Sequence, residues 1–264
     1  MKIPAPDFNL EATLDSGQVF GFTKQADGSY EGTVRGSTLR LSQNNGSLHV
    51  VGLINEQTLR DYLDLDRDLA PVYQILQNDP KLFPAYQKLK GLRLIRQDAW
   101  EALVCFIISS NNNVKRIQGI WRNLSEHYDG FPTAGQLAKT QERTLRRLGL
   151  GYRAPFLKKT SQFIHADPQT LEAIRRAPYG EAVERVIAFP GIGPKVADCV
   201  LLYGFHKLEA FPVDVWILRV MRKLYFNKRQ VPENQVHTFG QKKWGSYAGY
   251  IQQYLFHSAR TGEL

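Results

Sequence analysis

Hydrophobic positions along this chain change period near residue 55. Before it they alternate or are β-branched, as in TVRGSTLRL (33–41) and SLHVV (47–51). ADGS (26–29) and NNGS (44–47) supply turn residues between such runs. Alternating runs joined by tight turns predict an antiparallel sheet over the first 50 or so residues. Beyond that point the spacing is helical. NEQTLRDYLDL (55–65) opens on Asn55 as a cap. DAWEALVCFIISS (98–110) follows an Asp98 cap and is too apolar for a surface helix, so it is predicted to be buried. It stops at NNN (111–113), and VKRIQGIWRNLSEHY then resumes with Val114, Ile117, Ile120, Trp121 and Leu124 in helical register. Further helices are predicted at roughly 134–148, 153–166, 168–176 and 179–188.

Sheet first and helices afterwards define an α+β class. The expected organisation is an N-terminal β-rich domain over residues 1–88 and a helical region over 89–264, the latter in two subdomains. No repeat of fixed period and no low-complexity linker interrupts it.

Charge sharpens this division. Residues 1–70 carry 6 Lys/Arg and 10 Asp/Glu, whereas 71–264 carry 28 and 15, for a net of +9 overall. A long basic segment beside an acidic one points to a polyanion partner. Two cysteines, Cys105 and Cys199, are too few for a four-thiolate iron–sulfur cluster or zinc site. The six histidines form no HExxH pattern. The first residues lack the apolar stretch of a signal peptide, and no apolar run reaches the ~18 residues of a membrane span. A monomeric cytoplasmic protein, associated with the nucleoid and free of membrane partners, is expected.

The chemistry concentrates in EAVERVIAFPGIGPKVADCVLLYGF (181–205), which reads as helix, tight turn, helix. Gly191 and Gly193 permit backbone conformations closed to other residues, and Pro194 suits a first helical position. Such a turn leaves N–H groups at a helix N-terminus, a ready phosphate site formed by the backbone of Gly191, Gly193 and Val196. This is the helix–hairpin–helix pattern of DNA-backbone binding; an ordinary αα-hairpin is the competing reading. Lys195 shares a helix face with Cys199, one turn on, while Val196, Val200 and Tyr203 are expected to face the core. A first-turn lysine feels the positive helix end, which disfavours its charged form. These residues alone support a phosphate-contacting lysine and a nucleophilic one equally. In FPVDVWILRVMRKLY (211–225), Asp214 stands where a helix cap belongs; a cap at a pocket mouth would also stabilise a cation or accept a proton from an amine.

A hairpin lysine followed by Pro-Val-Asp resembles the bifunctional members of the helix–hairpin–helix DNA glycosylase superfamily. LDSGQVFGF (14–22), GLRLIRQDAWEALVCFIISSNNNVKRI (91–117), LGLGYRAPF (148–156), PVDV (212–215) and WGSYAGYIQQYLF (244–256) together resemble the 8-oxoguanine DNA glycosylase/AP-lyase family along nearly the whole chain. The resemblance implies that Lys195 attacks the sugar C1′ as the damaged base leaves. Asp214 would stabilise the oxocarbenium-like transition state, and the Schiff base would permit β-elimination. It implies that the Gly17 carbonyl accepts from N7–H of the oxidised base, where normal guanine presents an acceptor. Phe256 and Cys199 would sandwich the flipped base, and Gln252 would read its Watson–Crick edge. Asn111 would fill the gap in the duplex, Tyr152 would wedge the stack, and Arg116 and Arg153 would read the orphaned cytosine. Carbonyls at Ile187, Phe189 and Ile192 would hold a structural monovalent or divalent cation, with no other cofactor required.

Trp216 and Ala259 depart from the eukaryotic pattern, which commonly has His and an acidic residue there. The first puts one phosphate contact in question, the second part of the lysine's environment. A prokaryotic-type enzyme acting on double-stranded DNA containing oxidised guanine is the leading expectation. A glycosylase for another damaged purine, or a non-catalytic DNA-binding module, are the rivals.

Overall fold

The structure, a computed structural model, describes residues 1–262. The chain forms two compact units. One comprises Met1–Arg96 together with the stretch from Lys207 onward, and the other comprises Gln97–His206.

The first unit opens with a five-stranded antiparallel sheet of β1 (Lys2–Pro4), β2 (Phe22–Lys24), β3 (Tyr30–Val34), β4 (Ser37–Asn44) and β5 (Ser47–Val51), in the order β1-β5-β4-β3-β2. Register pairs Ile3 with Leu48, and Leu41 with Val50 on one side and Tyr30 on the other. The period of two therefore sends these side chains to one face. That face closes over Leu59, Tyr62 and Leu63 from the helix Glu56–Tyr62 and its end. As expected, Asn55 caps that helix, its Oδ1 accepting from the Gln57 amide at 2.8 Å.

Two tight turns set the sheet. Asn45–Gly46 and Arg35–Gly36 each have positive φ at both positions, the requirement of a two-residue hairpin turn. The first is announced by NNGS. The second falls inside TVRGSTLRL, so that alternating run folds as two strands rather than one. A further difference is the helix Leu10–Leu14 within the β-rich region, capped by Asn9 Oδ1 from the Ala12 amide at 2.9 Å.

The helices Ala70–Asn78, Phe83–Leu89, Val215–Tyr225, Glu233–Trp244 and Ala248–Thr261 complete this unit. The last is buried along most of its length. Its anchor is polar: Tyr250 donates to Asp64 Oδ2 at 2.9 Å, and Asp64, only 3% exposed, also meets Arg96 at 2.8 Å. A buried carboxylate is tolerable only when paired in this way.

The second unit is helical. The Ala99–Ser109 helix, capped by Asp98 as expected, buries Ala99 and every residue from Ala102 to Ile108. It packs on the Pro194–Phe205 helix, where the Phe106 and Tyr203 rings stack at 5.3 Å. A Cβ at Gly204 would come within 2.9 Å of the Ala102 methyl, so glycine there lets the two backbones approach. The predicted 134–148 helix is broken. Ala134–Lys139 starts with a Thr133/Gln136 capping box and ends at Thr140, whose backbone is extended, and a short Glu142–Leu145 helix follows. Gly149 and Gly151 then take positive φ and turn the chain into the helix Ala154–Ala166. Among the described residues, no helix is long and apolar enough to cross a membrane.

Candidate active site

The hairpin lies in the second unit. The helix Tyr179–Ile187 ends, the chain turns through Phe189–Gly193, and Pro194–Phe205 begins. Gly191 has φ 79°, and a Cβ there would sit 2.5 Å from the Phe156 ring. Backbone conformation and ring contact both exclude a side chain at that position. Gly193 is different. Its φ is −100° and a Cβ would meet nothing within 4 Å, so the fold places no demand for glycine there. The first bond of the helix runs from the Ala197 amide to the Gly193 carbonyl at 2.9 Å, leaving Val196 in the first turn, where amides lack helical acceptors. Tyr179 braces the motif by donating to Asp198 Oδ1 at 2.5 Å.

Lys195 is half-buried in this first turn. From Val196 to Phe205 every residue of the helix is buried, so Cys199 shares the interior environment that the spacing assigned only to Val196, Val200 and Tyr203. Cys105 is also enclosed, and burial pushes its thiol well above the usual range. Ile187 carries a terminal carbonyl of its helix, and the Phe189 carbonyl accepts a long 3.3 Å bond from the Ile192 amide. Carbonyls at a helix C-terminus carry partial negative charge; of the three, Ile187 stands at such an end, while Phe189 and Ile192 lie in the turn beyond it. Among the described residues, no group of three or more His, Cys, Asp or Glu is placed to hold a metal ion.

The second unit also carries the loop after the Ala99–Ser109 helix. Asn111 is exposed with φ 48°, a left-handed conformation that Asn tolerates. Arg153 holds this loop. It is 2% exposed and donates to the Ser110 carbonyl through Nε at 2.8 Å and to the Asn111 carbonyl through Nη2 at 2.9 Å. Tyr152 is 49% exposed, packs under the Arg153 guanidinium at 4.4 Å, and donates to the same Ser110 carbonyl at 3.2 Å. Arg116 is exposed on the next helix, whose Asn113 cap accepts from the Arg116 amide at 3.0 Å. Asn111, Tyr152 and Arg153 are therefore one bonded cluster.

Other predicted residues belong to the first unit. Gly17 has φ 81° in the loop after Leu10–Leu14. The residues on either side of it are locked. Gln18, fully buried, donates to the carbonyls of Thr13 (3.0 Å) and Arg93 (2.8 Å), and its Oε1 accepts from the Ile95 amide at 2.8 Å. From the C-terminal helix, Gln253 donates to the Ser16 carbonyl at 3.1 Å and Arg260 to the Asp15 carbonyl. These bonds tie the Gly17 loop to the helix that carries Gln252 and Phe256.

Gln252 is 3% exposed. Its Nε2 donates to the Pro212 carbonyl at 3.1 Å, while its Oε1 is buried and has no hydrogen-bond partner among the described residues. The amide orientation follows from the Pro212 acceptor, and the oxygen remains as an acceptor facing no protein donor. Phe256 is half-buried, with the Arg260 guanidinium 5.9 Å from its ring centre. Asp214 caps the helix Val215–Tyr225, its Oδ1 accepting from the amides of Trp216 (3.0 Å) and Ile217 (2.8 Å).

Residues 104–246 match the HhH-GPD superfamily of base excision DNA repair proteins, and residues 1–103 match the N-terminal domain of 8-oxoguanine DNA glycosylase. The chain belongs to the 8-oxoguanine DNA glycosylase family of that superfamily. A probable N-glycosylase/DNA lyase of Methanothermobacter thermautotrophicus is 32% identical over all of this chain and 97% of its own length. The N-glycosylase/DNA lyase OGG1 of Arabidopsis thaliana is 28% identical over 97% of this chain and 78% of its own. Among solved structures, the 8-oxoguanine glycosylase/lyase of Clostridium acetobutylicum, bound to double-stranded DNA with cytosine opposite 8-oxoG, superposes with a TM-score of 0.92 at 34% identity. That match covers 98% of this chain and 94% of the other.

Sequence reasoning about this glycosylase missed Gln18, Gln253 and Phe156. YIQQYLF did carry a signal for Gln253, two adjacent amides inside an otherwise apolar helix, which require buried partners. Gln18 and Phe156 were not legible because the contacts that give them their roles, Gln18 with Arg93 and Phe156 with Gly191, lie 75 and 35 positions away.

Proposed function

We propose that this DNA glycosylase/lyase removes 8-oxoguanine from duplex DNA, preferentially opposite cytosine, and then nicks the abasic strand through a Schiff base on Lys195. The observation that carries this reading is the Gln252 amide, with its nitrogen committed to Pro212 and its oxygen buried and unpartnered. A guanine-type Watson–Crick edge offers donors at N1 and N2, which suit that oxygen. Gly17 adds a carbonyl acceptor for a donor at N7, which 8-oxoguanine has and guanine lacks. A normal guanine would leave a buried acceptor facing an acceptor, and sites of this kind can discriminate by up to ~10⁴-fold.

In the proposed chemistry the neutral Lys195 amine attacks C1′. The N-glycosidic bond breaks and the base leaves with its electron pair. Asp214, already fixed as a cap, offers negative charge to the developing oxocarbenium and takes the proton that the amine releases. Opening of the sugar gives the Schiff base; loss of a C2′ proton and departure of the 3′ phosphate complete the β-elimination. The backbone of Gly191, Gly193 and Val196 would hold a phosphate. Gly193 supports this, because its missing side chain serves no internal contact. A cation on the Ile187, Phe189 and Ile192 carbonyls would stabilise the hairpin without entering the chemistry. Asn111 and Tyr152 would occupy the gap left by the extruded base, with Arg116 and Arg153 reading the orphaned cytosine. The enzyme would act as a monomer on nucleoid DNA.

Borohydride trapping on a duplex with 8-oxoguanine opposite cytosine tests the assignment. Wild type should give a covalent adduct and Lys195→Met none. An undiminished adduct in the variant removes Lys195 from the mechanism, and parallel excision on a lesion panel checks the choice of base.

A further inference from the structure

Two open cavities in the first unit contrast in their electrostatics. One, of about 460 Å³, is lined by Arg60, Arg67 and Arg96 together with Asp61, Asp64 and Asp66. Its charges are neutralised internally, as in the Arg60–Asp66 contact at 2.5 Å and the Arg96–Asp64 contact at 2.8 Å. The other, of about 550 Å³, has Val215 and Leu218 on its apolar side and Arg219, Arg222, Lys223 and Lys228 around it. No carboxylate lines it, and none of the four cations makes an ion pair among the described residues. Four uncompensated cations around one groove leave an anion as the complementary ligand.

This groove is built rather than incidental. Arg222 does not point its charge outward; it donates through Nε to the Val231 carbonyl at 3.0 Å and through Nη2 at 2.5 Å. The Lys228 amide returns to the Arg222 carbonyl at 2.8 Å. These bonds hold Asn227 and Lys228 in consecutive left-handed conformations, φ 49° and 62°. Such a conformation costs about 1 kcal/mol or more per residue. Arg219 is set over the Trp216 ring at 5.4 Å. An aromatic platform and a strained turn thus present the exposed cations of Arg219 and Lys223 on the helix and of Lys228 in the turn that follows it.

We propose that this groove is a second DNA-backbone site, separate from the glycine hairpin, and that it binds phosphodiesters flanking the damaged nucleotide. The assignment rests on the glycosylase reading, because Asp214 caps the same helix. Arg219 and Lys223 follow Asp214 by five and nine residues, roughly 7 and 13 Å along the axis at 1.5 Å per residue. DNA rises about 3.4 Å per nucleotide in one strand, so with the helix axis laid along the strand these cations would reach phosphates about two to four nucleotides from the sugar that Asp214 serves.

The test compares wild type with Lys228→Gln alone and with Arg219→Gln/Lys223→Gln/Lys228→Gln, leaving the structural Arg222 intact. Duplex affinity is measured across salt concentrations. The dependence of log K on log salt should flatten by about 0.9 for each phosphate no longer neutralised, hence by about 1 for the single variant and about 2 to 3 for the triple. A single methylphosphonate placed two, three or four nucleotides from the lesion should weaken wild type at one or more of these positions. At that position it should add no further loss in the triple variant. An unchanged salt slope, or losses that simply add, overturns the proposal. Tripolyphosphate distinguishes a free anion from DNA: protection of wild type against thermal unfolding, together with an unchanged DNA slope, assigns the groove to a small anion and rejects DNA. Excision by wild type in the same duplex reports separately on the glycosylase reading, so the two can fail independently.

Discussion

Gln253 donates from its Nε2 to the Ser16 carbonyl at 3.1 Å, a fully buried bond between residues 237 positions apart. It fixes the peptide immediately before Gly17 from the helix that also carries Gln252 and Phe256. Loss of one such bond, with its carbonyl left buried, costs about 1–3 kcal/mol. Gln253→Ala should therefore slow single-turnover removal of 8-oxoguanine by about tenfold or more and narrow its margin over guanine. Trapping on a preformed abasic site, which needs no base contact, should fall much less. Equal losses in both assays would show general destabilisation instead.

The two hairpin glycines should separate stability from binding. Gly191→Ala forces a methyl into the Phe156 ring at a left-handed position, so its thermal midpoint should drop by several degrees, consistent with a cost of about 1–3 kcal/mol for overpacking. Gly193→Ala meets no atom within 4 Å. Its midpoint should stay near wild type while its DNA affinity falls, because the new methyl projects where a phosphate approaches. Calorimetry and a binding titration on the same samples read both.

Glu101 gives a pH dependence. Burial raises its carboxyl to about 7, offset in part by the Trp121 indole, which donates to it at 2.9 Å. The folded state then holds a proton that the unfolded chain releases above about 4.5. That contribution is complete below pH 4.5 and is lost as the pH rises through 7. Glu101→Gln keeps an acceptor for the indole and removes the charge. It should raise the thermal midpoint at pH 8 and leave it nearly unchanged at pH 4.5. One pKa unit corresponds to about 1.4 kcal/mol, so the gain is at most about 3 kcal/mol, less as water reaches the carboxylate.

Arg153 is expected to serve twice. Its guanidinium now holds the Ser110 and Asn111 carbonyls, and contact with an orphaned cytosine requires exchanging bonds to those carbonyls for bonds to the base. Arg153→Ala should reduce excision opposite every base by loosening the Asn111 loop. Its largest effect should be opposite cytosine, narrowing discrimination by about 1–3 kcal/mol. Excision rates against each of the four opposite bases measure both parts.

Much of the molecule was legible because local rules and tertiary structure agree. Asn55, Asp98 and Asp214 read as caps, and each accepts first-turn amides of its helix. The burial of 102–108 followed from an apolar run with no polar face. Local rules failed where a turn interrupts a regular pattern. Arg35 takes a left-handed conformation usually left to Gly or Asn, and the extended backbone of Thr140 breaks the 134–148 segment, whose spacing continues as helix.

The sequence by itself determined the order of sheet and helices, the glycine hairpin with Lys195 in its first turn, and the capping role of Asp214. These depend on residues within a few positions of one another, where backbone sterics and helix-end hydrogen bonding act directly. Only the tertiary structure decided that the chain after Lys207 returns to the unit formed by the first 96 residues. It alone decided that Gln253 sets the Gly17 loop, that Gln252 spends its nitrogen on Pro212, and that four cations surround a groove without a carboxylate. Those are choices of partner among buried polar groups and charges distant in the chain. Desolvation makes each choice obligatory, and only the folded backbone says which groups are within reach.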